Sequence, residues 1–192
     1  MSYLTTMWKH FKTVCRHKIY VFQECRACGI TWQGITHDLS KFSWVEFGPA
    51  ARYFQGNRSP IEAEKEDLGY SFAWLHHKGI NPHHWEFWTD FAEEDGSIIT
   101  NKIPFNYVVE MVCDWVGAGK AYQKERWTTD SPMNYFIKTR KGRHFHPDTE
   151  DLIVLFLDGI KFKGLAEFHK MAKCEAPYSY LRADYEGKYY IP

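Results

Sequence analysis

Along the first thirty residues the apolar side chains return close to the period of an α-helix. Leu4, Met7, Trp8, Phe11, Cys15, Phe22 and Cys25 follow that spacing, and Gly29 is a suitable stop. The same period recurs down the chain. A second short helix is expected from Trp32 to about Leu39, and Ser43-Trp-Val-Glu46 reads as a capping box opening a third. Gln55 to Asp67, with Gly56, Asn57, Ser59 and Pro60, reads as a long surface loop or lid. Helical character returns from Gly69 to Lys78 and stops at Gly79. After the Asn81-Pro82 turn, His83 to Phe91 can start another helix, and the polar run Glu93 to Asn101 breaks the pattern. Pro104 can open a helix to Trp115 or Val116, ended by Gly117 and Gly119. Ser131-Pro132 opens a shorter one ending near Gly142, and Asp148 is the expected N-cap of a long helix to about Ala172. With few strand patterns, the expected fold is all-α: a single-domain helical bundle over residues 1–176, followed by a Tyr-rich tail over 177–192.

A chain of 192 residues fits one domain and can bury a sizeable core. Its 24 basic and 24 acidic side chains cancel, which argues against general nucleic-acid binding, since that needs a basic surface to displace counterions. No apolar run approaches the roughly 18 residues of a membrane span. The opening MSYLTTMWKHFKTVCRHK has charges where a signal peptide needs an apolar stretch. The expectation is a soluble, cytoplasmic protein with no membrane partner. The odd count of five cysteines fits reduced thiols. Cys25 and Cys28 form a CxxC with no second pair after it, so two sulfurs sharing a helix face is the preferred reading over a structural zinc site. The sequence leaves the oligomeric state open.

Ten histidines remain, unevenly placed. His37-Asp38-Leu39-Ser40-Lys41 puts an imidazole beside a carboxylate, and at a helix end the two side chains can converge on one metal. His17 lies 20 residues earlier on the first helix. His76, His77, His83 and His84 follow in the string HHKGINPHH, and Asp114 lies on a later helix with Glu110 one turn before it. Imidazole with carboxylate suits Fe, Mn, Zn or Ni better than Ca. Asp38 is the natural bridge between two ions, because it adjoins a ligand and has two oxygens. His17, His37 and Asp114 would complete a first site, and His77 (preferred to His76) with His83 or His84 a second. Glu86 and Glu110 could orient ligand histidines from behind. His10, His144, His146 and His169 read as surface or capped residues. Trp74, Trp85, Phe87, Trp88 and Phe91 read mainly as core, with room for one or two to line a pocket and stack on a base or sugar. Lys41, Arg52 and Arg58 are the nearest cations able to meet a phosphate.

The order H…HD…HH…HH…D resembles the HD-domain superfamily of metal-dependent phosphohydrolases, over roughly His17 to Asp114, about half the chain. The resemblance implies an HD-like helical bundle in which His17, His37, Asp38 and Asp114 meet on a metal. It also implies that Lys41, three residues after the HD pair, helps bind or polarise a phosphate. Two further histidines before the last aspartate imply the two-metal branch, which includes phosphodiesterases and mixed-valent di-iron oxygenases similar to myo-inositol oxygenase. The middle histidines stand six or seven residues apart, closer than in those families. The HDLSKFS and NPHHWE motifs look most like a small HD-like group. Three functions follow as expectations. The first is a phosphohydrolase acting on a small phosphorylated molecule such as a nucleotide, with Asp38 and Lys41 catalytic and Lys41 and Arg58 binding substrate. The second is a di-iron oxygenase. The third is a non-catalytic, metal-containing interaction protein.

Overall fold

The computed structural model describes residues 3–174, and the Tyr-rich segment from Pro177 lies outside the described residues. Among these, nine α-helices follow one another: α1 (Tyr3–Ala27), α2 (Thr31–Thr36), α3 (Trp44–Tyr53), α4 (Pro60–Leu68), α5 (Phe72–Ile80), α6 (Phe105–Gln123), α7 (Ser131–Thr139), α8 (Pro147–Lys163) and α9 (Leu165–Lys173). Two three-residue strands, β1 (Thr89–Phe91) and β2 (Ile98–Thr100), pair antiparallel. The fold is all-α. None of the described helices is long and apolar enough to cross a membrane.

α1 forms where its period places it, but buries a different face from the apolar one. His10, Val14, His17, Val21, Glu24 and Cys25 point inward, three to four residues apart, while Leu4 and Trp8 are exposed. The inward face is set by the partner, α6, which buries Val108, Val109, Met111, Val112, Cys113 and Val116. The two helices approach closely at Gly117. A Cβ there would lie 2.5 Å from Val21 Cγ2 and 3.0 Å from Val21 N. On the other side of α6, α7, α8 and α9 close the core, with Phe105 edge-on to Phe156 and Phe156 edge-on to Phe168. α3 lies against α1, α4 and α5.

Several boundaries differ from the sequence expectation, each for a physical reason. The proposed lid contains a helix: Ser59 Oγ accepts from Ile61 N–H, Pro60 takes the first position, and Gly69 at φ 80° closes α4. α5 runs past Gly79 to Ile80, and α6 passes through both glycines expected to stop it. Residues 89–100, expected as a helix end and a polar break, form the hairpin. The long C-terminal helix is two helices, broken at Gly164 (φ 84°). Its N-cap is His146, whose Nδ1 accepts from Asp148 N–H, while Asp148 pairs with Lys102 at 2.6 Å. Trp85 and Trp88 pack on the core, but Phe87 and Phe91 are exposed. Cys25, Cys28 and Cys113 are buried together, with Cys28 Sγ 3.8 Å from Cys113 Sγ. No cysteine joins a group able to hold a metal among the described residues.

Candidate metal centre

The centre begins at the end of α2. His37 follows the helix with φ −46° and ψ 126°, and Asp38 takes the left-handed conformation at φ 53° and ψ 27°. Aspartate is among the few non-glycine residues that visit this region readily. The turn brings the two side chains to one side. Lys18 on α1 holds it in place, its ammonium donating to Ile35 O at 2.8 Å and His37 O at 2.7 Å. Those are carbonyls that a helix end leaves unsatisfied. Around this turn converge His17 from α1, Glu110 and Asp114 from successive turns of α6, His77 from α5, and His83 and His84 from the segment after α5.

The two oxygens of Asp38 divide the histidines between them. Oδ2 lies 3.3 Å from His17 Nε2 and 3.2 Å from His37 Nε2. The same two nitrogens are 3.2 Å and 3.4 Å from Asp114 Oδ1. Oδ1 lies 3.2 Å from His77 Nε2 and 3.5 Å from His83 Nε2. Two overlapping groups that could hold a metal share Asp38: His17, His37, Asp38 and Asp114, and Asp38, His77, His83 and His84; a third comprises His37, His83 and Glu110. His17 Nε2 hydrogen-bonds Asp38 Oδ2, but other atoms facing inward have no such partner. His37 Nε2, His77 Nε2, His83 Nε2, His84 Nε2 and Asp38 Oδ1 are buried without a hydrogen bond, and buried polar atoms are rarely left so. Ligands each about 2.1 Å from a common ion stand roughly 3.0 Å apart at right angles and roughly 3.4 Å apart at the tetrahedral angle. Five of the six histidine–aspartate separations, 3.2–3.4 Å, fit that range, and the sixth, His83 Nε2 to Asp38 Oδ1, is 3.5 Å.

The outer nitrogens are held by carboxylates. His37 Nδ1–H donates to Glu110 Oε1 at 2.8 Å, with His83 Nδ1 3.2 Å from the same oxygen. His77 Nδ1–H donates to Glu46 Oε2 at 2.8 Å. An ionised carboxylate only accepts, so each of these Nδ1 atoms carries a proton and the other ring nitrogen, Nε2, is the one turned to the centre. This is the arrangement by which proteins fix metal-ligating histidines. Burial opposes ionisation of Asp38, Asp114, Glu110 and Glu46, but their neighbours outweigh it. His37, Lys41 and His77 hold Asp38 well below the usual range, His17 and His37 do so for Asp114, His37 and His83 lower Glu110, and His77 lowers Glu46. Burial likewise opposes the charge on His37, yet Asp38 and Asp114 raise its pKa well above normal, whereas burial beside His83 and His77 depresses that of His84. Four carboxylates thus surround the histidines, and such a concentration of buried negative charge calls for cations.

Lys41 lies within hydrogen-bonding reach of Asp38 Oδ2 and is 28% exposed, and Asp114 is 14% exposed, so this side opens toward solvent. His76 faces away from the Asp38 carboxylate, half-buried, with Nδ1 on Glu46 Oε1 at 2.8 Å. Glu86 makes no hydrogen bond to a histidine among the described residues, and its Oε2 is buried without a partner. The expected orienting role is taken instead by Glu46. Arg58 is not part of the centre: it pairs with Glu66 through both terminal guanidinium nitrogens at 2.6 Å. Glu46 and Lys18 were missed by sequence reasoning. The available signal for Glu46 was one acidic residue within the largely apolar stretch WVEFGPAA. A carboxylate on a buried helix face needs a partner. Lys18 carried no comparable signal.

Over residues 6–158 the chain matches the family described as "Family of unknown function (DUF5662)", and it belongs to that family. No curated protein and no solved structure matches it.

Proposed function

We propose that this member of the DUF5662 family is a metal-dependent phosphohydrolase of HD-like type, acting on a small phosphorylated molecule. One or two divalent ions (Fe, Mn, Zn or Ni by the donor set) would be held by His17, His37, Asp38 and Asp114, and by Asp38, His77, His83 and His84. The observation that carries this reading is the polarity of the imidazoles. Three rings are held by Nδ1 against Glu110 or Glu46 and turn Nε2 toward the two oxygens of Asp38, at 3.2–3.5 Å and without hydrogen-bond geometry. Imidazoles held from behind by carboxylates, with their other nitrogens gathered on one buried carboxylate, are the arrangement that metal-ligating histidines use. A bound ion supplies Lewis acidity toward a phosphoryl oxygen and a water of lowered pKa.

The protein's own groups do the rest. Glu46 and Glu110 keep the rings oriented and in one tautomer. Asp38, buried on a left-handed turn, would hold both groups in a common frame. Lys41, its pKa raised because Asp38 and Asp114 outweigh the effect of burial, stays charged and partly open to solvent. It can donate to an anionic phosphoryl oxygen and neutralise charge that grows there during displacement.

The test combines metal analysis with turnover. Protein purified without oxygen is assayed for Fe, Mn, Zn and Ni, then supplied with Mn²⁺ and a panel of phosphodiesters and nucleotides. Asp38→Ala is expected to abolish metal retention and hydrolysis while leaving far-UV circular dichroism unchanged. Undiminished metal content in that variant refutes the bridging role. Two irons per chain with oxygen consumption, and no hydrolysis, would replace this reaction by an oxygenase.

A further inference from the structure

The two groups around Asp38 leave a cavity unused. About 440 Å³ of space adjoins them, with His37, His83 and Glu110 on its wall and Trp32, Gln33 and Tyr107 elsewhere around it. The volume is within the roughly 300–1,000 Å³ usual for small-molecule sites. No lysine or arginine lines it among the described residues. A phosphate placed there would meet the Glu110 carboxylate with no lysine or arginine to offset it, so the cavity suits the uncharged part of a ligand.

Three groups around it are uncommitted, although the Tyr107 ring itself packs against Trp88. Trp32 is 71% exposed and has no ring partner or side-chain hydrogen bond among the described residues. The Gln33 carboxamide and the Tyr107 hydroxyl likewise make no hydrogen bond there. Their neighbours differ. Asn81 Nδ2 donates to His77 O at 2.7 Å, and Thr36 Oγ1 donates to Trp32 O at 3.0 Å. The free groups are therefore an indole plane, an amide with both donor and acceptor, and a phenol. A flat heterocycle with hydrogen-bonding edges engages all three, because every base offers a face to stack and an edge that a carboxamide can read.

We propose that this cavity binds the base of a free nucleoside or nucleotide, stacked on Trp32 and read by Gln33 and Tyr107. A nucleotide's phosphate would then be directed to the Asp38, Lys41 and Asp114 side. The proposal rests on the phosphohydrolase reading for the phosphate end alone. Adenosine, guanosine, cytidine and uridine are titrated by calorimetry and saturation-transfer NMR into the full-length protein, with and without metal. Ribose and a single-stranded oligonucleotide serve as comparisons.

At least one nucleoside is expected to bind in both metal states, and ribose far more weakly. Trp32→Ala should weaken binding about 5- to 150-fold, the range for losing one base–aromatic stack, and Trp32→Phe should retain most of it. Gln33→Leu should reorder the preference among the four bases. Metal content and helicity should be unchanged in all three variants, since Trp32 lies at the surface. Binding by none of the nucleosides, an unchanged affinity in Trp32→Ala, or a clear preference for the oligonucleotide over every nucleoside overturns the proposal. Nucleoside binding without hydrolysis of any phosphate would leave this site standing and remove the reaction. Hydrolysis of ringless phosphates without nucleoside binding would do the reverse.

Discussion

Replacing Gly117 by alanine tests whether the spacing of two helices, and not only the identity of the ligands, builds the centre. Gly117 lies three residues after Asp114 on α6, and it touches Val21, four residues after His17 on α1. The contact that limits helix approach is thus within one turn of the His17 Nε2–Asp114 Oδ1 separation of 3.2 Å. An added Cβ would stand 2.5 Å from Val21 Cγ2, 3.0 Å from Val21 N and 3.3 Å from Val21 Cα. Ordinary carbon contacts begin near 3.5 Å, so the helices must separate by about 1 Å. Overpacking of this size costs about 1–3 kcal/mol. For a chain of this length that corresponds to a fall in Tm of roughly 2–12 °C. Metal sites tolerate displacements of only about 0.2 Å, so affinity at the group containing His17 and Asp114 should drop about tenfold or more. The assays are thermal unfolding followed by circular dichroism and metal competition against a chromophoric chelator. Adding Val21→Ala to Gly117→Ala should recover part of the metal affinity, because Cγ2 is the nearest obstacle. A Gly117→Ala protein with wild-type Tm and wild-type metal affinity would refute the argument that this glycine sets the geometry.

Two further perturbations address the carboxylates. Glu46→Gln leaves one carbonyl where two oxygens receive His76 and His77 at 2.8 Å each. It should weaken metal binding at the group containing His77 about 10- to 100-fold, lowering stoichiometry at limiting metal with helicity intact. Full stoichiometry at the wild-type affinity would show that the His77 ring needs no such anchor. Far from the centre, buried Glu24 accepts from Lys120 Nζ at 2.5 Å and His169 Nε2 at 2.7 Å. Burial opposes its ionisation, but these two partners outweigh that and lower its pKa. A depressed carboxyl pKa contributes stability that is fully present above its ordinary value near 4.5 and is lost as pH falls through the folded value. Glu24→Gln should therefore cost about 1.5–3 kcal/mol at pH 7, and the difference from wild type should shrink below pH 4.5, as urea titrations across pH would show. A difference that stays constant down to pH 3 would contradict the assignment.

The α-helical class was legible because it depends on periodicity, a property each segment carries alone. Boundaries were not, where a neighbour decides them. Gly117 and Gly119 read as stops, yet α6 continues through both, because Val21 fills the space a side chain would need at Gly117. Pro60 read as loop, yet with Ser59 before it and IEAEKEDL after it the same proline is a helix start. In the candidate site, the residues brought around Asp38 were legible because imidazole and carboxylate have few common uses when several gather in one chain.

Glu46 was hidden by a local rule that it also satisfies. Ser43-x-x-Glu46 is a capping box on paper, and an N-cap contributes about 1 kcal/mol. In the folded chain Ser43 N–H bonds Ser40 O, Ser43 Oγ is buried without a partner, and Glu46 turns to two imidazoles. Each charge-assisted hydrogen bond contributes about 1.5–3 kcal/mol, so two of them outweigh one cap. No pattern within four residues can announce that outcome, because the competing partners arrive from α5, some thirty positions along the chain.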